Sequence, residues 1–216
     1  KRQGVAVSEE GSLRNTAVLA CVRILAKSVA MLPLPVYRRL ARGKERAPSH
    51  PLYAILQEQA NPEMTAFELR RWLMQCVLLW GNGFAEIEWS ESGQVVALWP
   101  LRPDRMGVER RKGVLVYHYW AEDGRHFELP MHGVLHLRGL TGDGLLCYSV
   151  GRELMRESIG RGLATQEYGA RFFGNGARPG IVLTHPGILS DKAQANLMNS
   201  WADAHEGLSN AHRLRI

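Results

Sequence analysis

Between Leu13 and Leu32 apolar residues recur at Val18, Val22, Leu25, Val29 and Leu32. Steps of four and three place them on one face of a helix, with Ser12 as N-cap and Pro33 as the stop. Pro35-Val36-Tyr37 then reads as a short extended piece, Arg38 to Arg46 as a basic turn, and Leu52 to Gln59 as a short helix. After Asn61-Pro62, Thr65 and Glu68 have capping-box spacing. Leu69, Leu73, Cys76 and Trp80 supply the apolar stripe of a second long helix, which Gly81 ends. The pattern next changes to short β segments at Phe84–Trp89, Val95–Leu98, Gly107–Arg110, Val114–Trp120, His126–Leu129 and Val134–Leu137. Ser92-Gly93, Lys112-Gly113 and Asp123-Gly124 punctuate them, so a mostly antiparallel meander is the simplest arrangement.

Val150 to Phe173 reads as one long helix carrying Leu154, Met155, Ile159, Leu163 and Ala170. Its glycines, Gly151, Gly160, Gly162 and Gly169, each cost a helix on the order of 1 kcal/mol relative to alanine, a cost better tolerated where another backbone packs closely. Asn175 to Gly180 breaks that helix, Ile181–Thr184 reads as a strand, and Ser190 caps a last helix with Ala193, Leu197, Trp201 and Ala204 on one face. The pattern as a whole predicts an α+β chain.

Composition adds limits. The 216 residues are 45% hydrophobic and 22% charged with 22 Gly and 10 Pro, which excludes collagen-like, mucin-like and disordered classes and suits one or two globular domains. No run approaches the roughly 20 uncharged apolar residues of a membrane span, and no apolar signal core follows Lys1-Arg2-Gln3-Gly4, so no membrane partner is expected. Lys and Arg exceed Asp and Glu by 27 to 21, a balance that favours polyanionic partners without demanding them. Cys21, Cys76 and Cys147 are odd in number, widely spaced and set among apolar neighbours, as buried thiols in a reducing compartment would be.

Phosphate loops, dinucleotide fingerprints, nucleophile elbows, zincin motifs and paired Cys-x-x-Cys are all missing from the sequence, which argues against the common enzyme classes and gives no reason for a cofactor. His126, His132 and His136 are clustered, so a metal site is conceivable, but no cysteine or carboxylate completes a ligand set and hydrogen-bonded histidines are the simpler reading. Asp143, Glu153 and Glu157 could be cast as acid and base; helix-terminus electrostatics and pairing with Arg152, Arg156 and Arg161 explain them more cheaply. Two basic clusters, Arg38–Arg46 and Arg102, Arg105, Arg110, Arg111 and Lys112, could touch nucleic-acid phosphates or be solvated loops. Trp72, Trp80, Trp89, Trp99, Trp120 and Trp201 lie in apolar patterns and read as core.

In order along nearly the whole chain, the segments resemble the portal proteins, or head-to-tail connectors, of long-tailed double-stranded DNA phages. The resemblance rests on the helix Ala17–Ala30 running into Leu32-Pro33-Leu34-Pro35-Val36-Tyr37, then His50-Pro51-Leu52 and Ala60-Asn61-Pro62. It continues through Leu79-Trp80-Gly81-Asn82-Gly83-Phe84-Ala85, Leu98-Trp99-Pro100-Leu101-Arg102-Pro103 and Asp143-Gly144-Leu145. It closes with Phe172-Phe173-Gly174-Asn175-Gly176-Ala177-Arg178-Pro179, Trp201 to Gly207 and Asn210-Ala211-His212-Arg213.

The resemblance implies a non-enzymatic subunit of a ring, a dodecamer in the full-length form, at one capsid vertex. Through the ring double-stranded DNA is packaged and ejected, and the terminase, scaffold or capsid, and neck or tail proteins dock on it. It places the protein in the virion, and in the host cytoplasm during assembly. By analogy, residues 1–149 would be a wing of helices and β meander, 150–174 a stem helix along the channel and 175–216 a small αβ clip. Gly142-Asp143-Gly144-Leu145 would launch the stem, and Gly174, Asn175 and Gly176 would release it. Arg110, Arg111 and Lys112 are candidate DNA-facing residues. Two departures stand out: Cys147-Tyr148-Ser149-Val150 replaces the usual Gly-x-Ser-Pro, and the returning stem helix, tunnel loop and crown of the family are missing, which implies a truncation at Ile216. The competing readings are a metal-dependent DNA-processing protein and a sequence-independent DNA-binding module.

Overall fold

A computed structural model describes residues 7–140, 142–174 and 186–205, with 201–205 as backbone only. The first long helix starts later than its pattern predicts. Ser12 closes a four-residue helix, α1 (Glu9–Ser12), where it is fully buried and its hydroxyl donates to Glu9 O at 2.6 Å. With that hydroxyl committed, the cap passes to Asn15, whose Oδ1 accepts from the Ala17 and Val18 N–H groups at 3.0 and 3.3 Å, and α2 runs Thr16–Met31. Its buried face is Val22, Ala26 and Ala30, because small residues let the helix approach a neighbour closely. Leu25, Val29 and Leu32, which share the apolar stripe of the sequence, are exposed.

The basic segment predicted as a turn is a hairpin, β1 (Tyr37–Arg39) with β2 (Lys44–Arg46), pairing Tyr37 with Arg46. Then come α3 (Pro51–Gln57), the short pair β3 (Gln59–Asn61) and β4 (Met64–Thr65), and α4 (Ala66–Trp80). Thr65 and Glu68 form the predicted capping box, and Gly81 ends α4 at φ 79°. Asn61 pins the preceding turn: its Nδ2 donates to Leu98 O at 2.8 Å, and its Oδ1 accepts from Glu63 and Met64 N–H. The Arg70 guanidinium donates to Ala30 O and Leu56 O, tying α4 to the last turn of α2 and to α3 through two carbonyls that helix ends leave unpaired.

The strands are β5 (Asn82–Trp89), β6 (Val95–Leu101), β7 (Met106–Arg111), β8 (Val114–Trp120), β9 (His126–Pro130) and β10 (Val134–Arg138). All pairings are antiparallel, yet the strands are not one meander. β10 returns past β9 to pair with β5, giving sheets of order β10-β5-β6 and β7-β8-β9. β5 explains the split. Its alternating residues serve two cores: Ala85 packs with Leu69, Leu73 and Leu98, and Phe84 with Tyr117, Leu101 and Val134. A strand buried on both faces needs partners for both, and burying each large apolar side chain contributes roughly 1.5–3 kcal/mol.

The long helix expected from Val150 is interrupted. Ser149 opens one π-helical turn, Val150–Leu154, and α5 proper is Arg156–Gly174. Gly151 accounts for the local geometry: it is buried, and a Cβ there would lie 3.3 Å from Ser12 Oγ. The chain divides into two compact units after Ile159. In the second, Tyr168 and Phe172 stack at 6.0 Å along α5, and Ser190 caps α6 (Asp191–His205) as predicted, its Oγ accepting from Ala193 N–H. The strand expected at Ile181–Thr184 lies outside the described residues.

Candidate functional site

Four of the motif positions singled out in the sequence, Gly81, Asn82, Asp143 and Gly144, lie on two segments joined through Asn82 and Cys147 at the approach to Val150. Gly81 sits where a side chain has no room: a Cβ would overlap Tyr148 O and stand 2.6 Å from Cys147 O. Its carbonyl accepts from Gly139 N–H at 2.8 Å. Asn82 is 4% exposed and fully partnered. Its Oδ1 accepts from Cys147 N–H at 3.1 Å and from His136 Nε2 at 3.0 Å, while its Nδ2 donates to Cys147 O at 3.1 Å and Trp80 O at 3.2 Å. An amide alone offers both an acceptor and two donors at one side-chain end, so Asn82 clips the backbone of the 140–149 segment from both sides.

His136 supports the clip from behind. Burial, with the nearby Arg138 charge, holds its pKa down to about 4, so the ring is neutral at physiological pH. Asn82 Oδ1 fixes the proton on Nε2, leaving Nδ1 to accept from the Tyr117 hydroxyl at 3.2 Å. The ring also packs on Phe84 with centroids 4.3 Å apart.

Asp143 and Ser149 shape the segment itself. Asp143 Oδ1 accepts from Leu145 and Leu146 N–H, both at 2.8 Å, which lowers its pKa, and Gly144 follows at φ 89°. Ser149 Oγ donates to Leu79 O at 2.6 Å and accepts from Arg152 N–H, and Ser149 N–H donates to Glu153 Oε2 at 2.8 Å. Ser149 therefore caps the helical turn that begins at Val150. An open cleft of about 500 Å³ beside it is lined by Asp104, Asp143 and Glu153 among others. The Asp104 carboxylate is held below its usual range by hydrogen bonding to Arg102, and Asp143 and Glu153 accept from backbone N–H groups. These carboxylates position chain rather than stand ready as an acid–base pair.

His126, His132 and His136 are not brought together. His136 is spent in the clip, His132 is exposed on a 3₁₀ turn at Met131–Gly133, and His126 lies on β9. His126 instead meets His118 across the β8–β9 ladder, with Nε2 and Nδ1 3.0 Å apart. Among the described residues no group of three or more His, Cys, Asp or Glu side chains could hold a metal ion. The predicted tryptophan core is corrected: among the described residues only Trp72 packs against a core cluster, while Trp80 and Trp99 are partly buried and outside both clusters. Trp89 and Trp120 are 45% and 48% exposed, because both lie at strand ends. Trp120 covers Gly107 from outside, at 3.0–3.1 Å from where a Cβ would be.

The basic clusters also sort themselves. Arg102 pairs with Asp104 and Glu10, Arg105 with Glu122, and Arg111 with both Glu109 and Glu128, so these charges are largely matched. Arg110 and Lys112 have no ion-pair partner among the described residues. The β1–β2 hairpin presents Arg39, Arg42, Lys44 and Arg46 to solvent, with Arg38 3.6 Å from Glu45. Phe173 is half-exposed near the end of α5. Asn175, Gly176, Asn210, His212 and Arg213 lie outside the described residues, as does the side chain of Trp201. His118, Arg70 and the internal role of His136 are not marked in the sequence: the β8–β9 register sets His118 opposite Glu128 and only diagonally across from His126.

Among the described residues no helix is long and apolar enough to cross a membrane. A family model described as phage portal protein matches residues 16–216. The chain is 34% identical to the probable portal protein of Streptomyces phage phiC31, over 99% of this chain and 48% of that protein. It therefore spans about half the length of the phage relatives it matches. A chain in the neck of an empty gene transfer agent (GTA) particle, computed with C6 symmetry, is 24% identical with a TM-score of 0.66, over 99% of this chain and 60% of that one. An HK97-family phage portal protein from Corynebacterium diphtheriae is 17% identical with a TM-score of 0.62, over 99% of this chain and 67% of that one. At those identities the two structures show a shared fold.

Proposed function

The chain belongs to the phage portal protein family, and from that premise we propose that it is a structural, non-enzymatic portal subunit. It assembles with copies of itself into a ring at one vertex of a capsid, through which DNA is packaged and ejected. The observation that carries this reading is the family match over residues 16–216, supported by a fold shared across 99% of the chain with a portal protein and a particle neck. We assign residues 1–149 to the wing, 150–174 to the stem and 175–216 to the clip, with a dodecamer as the closed state. Terminase, scaffold or capsid, and neck or tail proteins are the docking partners, and the virion is the final location. In this scheme the Gly81–Asn82 clip holds the backbone just ahead of Val150, and Asp143 and Gly144 make the turn before it.

The mechanism asks for no turnover. DNA phosphates need a lining without strong fixed contacts, and a moderate net positive charge draws the duplex without trapping it. A second reading, a sequence-independent DNA-binding module, is favoured only by the exposed charges of the β1–β2 hairpin and of Arg110 and Lys112. Expressing the natural reading frame that contains this chain and imaging it in negative stain separates the two. Rings with a central hole wide enough for duplex DNA are expected. Compact monomers that bind DNA with strong salt dependence, lost on neutralising Arg110 and Lys112, would favour the module.

A further inference from the structure

We propose that the exposed β1–β2 hairpin grips the phosphates of duplex DNA without reading its sequence. The inference rests on the reading above only for the choice of DNA, and it does not need a closed ring. Among the described residues β1 and β2 pair with each other and with no third strand, and every residue from Tyr37 to Arg46 is exposed. The register sets Tyr37 opposite Arg46 and Arg39 opposite Lys44. Strand alternation therefore gathers Arg39, Lys44 and Arg46 on one face, with Arg38 and Glu45 paired on the other at 3.6 Å. Arg42 stands at the tip, in a turn closed by the Leu40 N–H, which donates to Gly43 O at 3.1 Å. Arg39, Arg42, Lys44 and Arg46 have no ion-pair partner among the described residues.

Three features point to duplex DNA. The first is sign. Charges that only keep an exposed hairpin from pairing with another strand can be of either sign. Here five cations stand against one carboxylate, compared with 27 against 21 in the whole chain. The second is size: a two-stranded β-ribbon is among the elements that the major groove of B-DNA, about 12 Å wide, admits. Side chains on one face lie about 7 Å apart along a strand and roughly 5 Å apart across it, so Arg39, Lys44 and Arg46 form a compact cationic patch. The third is the lack of an apolar anchor. A protein partner draws its affinity chiefly from buried anchors, aromatic ones above all, and the one aromatic ring of the hairpin, Tyr37, is covered by the Lys44 ammonium 4.4 Å from its centroid. The second basic cluster is poorer in free charge, because Glu109 and Glu128 match Arg111 and leave Arg110 and Lys112.

The test uses the full natural reading frame and a fluorescein-labelled duplex of random sequence. Anisotropy is followed between about 50 and 200 mM salt for three proteins. They are the wild type, the Arg39→Gln, Arg42→Gln, Lys44→Gln, Arg46→Gln quadruple variant, and the Arg110→Gln, Lys112→Gln variant. Losing four phosphate contacts lowers the slope of log K against log salt by about 3.6 for each bound subunit. The quadruple variant is expected to bind at least ~10-fold more weakly at the lowest salt, while the Arg110, Lys112 variant stays within about threefold of wild type. In wild-type protein alone, lysine acetylation by an N-hydroxysuccinimide ester is mapped by peptide mass spectrometry at Lys27, Lys44 and Lys112, all exposed. Added duplex is expected to slow it at least ~5-fold at Lys44 and to leave Lys27 and Lys112 unchanged, a comparison that holds if the quadruple variant fails to fold. Equal labelling of Lys44 with and without duplex, or a folded quadruple variant that binds as tightly as wild type, would overturn the inference. So would protection of Lys112 instead of Lys44, or tighter binding of poly-L-glutamate of equal total charge, the mark of an acidic protein partner. Mass photometry of the same preparations keeps the two readings apart. Protein that forms no rings while DNA still protects Lys44 sinks the ring and keeps the hairpin contact, and rings with Lys44 unprotected do the reverse.

Discussion

Gly81→Ala is expected to destabilise the larger unit by at least ~3 kcal/mol, a large share of the roughly 5–15 kcal/mol by which a domain is usually stable. Two costs add. The residue sits at φ 79°, where an L side chain costs roughly 1–2 kcal/mol. The new Cβ would also overlap Tyr148 O and press on Cys147 O at 2.6 Å, both backbone atoms that can move only if the 140–149 segment moves with them. Gly93→Ala is the control: its φ is 75°, yet nothing lies within 4 Å of its Cβ position, so only the conformational cost of about 1–2 kcal/mol applies. Urea denaturation of both variants reads the difference. Equal losses at the two positions would mean that the tight approach of the 147–148 backbone to Gly81 does not exist.

The second large effect is expected at Asn82. Asn82→Leu keeps the volume but strands Cys147 N–H and C=O, Trp80 O and the His136 Nε2 proton, all in a buried site. At about 1–3 kcal/mol for each buried group left unsatisfied, with partial relaxation, a loss of roughly 3–5 kcal/mol is expected. Asn82→Asp separates hydrogen bonding from shape, because it keeps the acceptor for Cys147 N–H and His136 but gives up the donor to Cys147 O. It also places a negative charge on His136, whose folded pKa lies near 4. In the wild type the ring binds a proton more readily once unfolded, so stability declines as pH falls from about 6.5 toward 4. With the carboxylate beside it the imidazolium is favoured and that decline shrinks or reverses. Unchanged pH dependence in Asn82→Asp, or a loss below ~1 kcal/mol in Asn82→Leu, would remove the clip from the account.

The local devices were legible in the sequence because each is set by neighbours in the chain. The Thr65–Glu68 capping box, the stop at Gly81, the Ser190 cap and all six β segments depend on spacing within a few residues. What was not legible depends on partners far along the chain. Ser12 reads as a cap until its burial against Gly151 is known. β10 reads as the last strand of a meander because nothing local says that β5 is buried on both faces. Val18, Leu25, Val29 and Leu32 read as core because periodicity reports an apolar face without saying which surface covers it. His136 and Asn82 lie 54 residues apart, so their hydrogen bond could not be inferred, and three clustered histidines suggested a ligand set that the strands send in different directions. The motif order was legible as a family resemblance, whereas what Asn82 does in this chain emerges only from its four hydrogen bonds.

On the function proposed above, this chain is a subunit of the channel through which DNA enters a capsid. The most direct measurement is to inactivate its gene in the phage or phage-derived element that encodes it, and to quantify nuclease-protected DNA in purified particles, with the gene restored in trans as control. The account predicts that DNA-filled tailed particles disappear without the gene and return with it. Undiminished yields of nuclease-protected DNA in its absence would contradict the account.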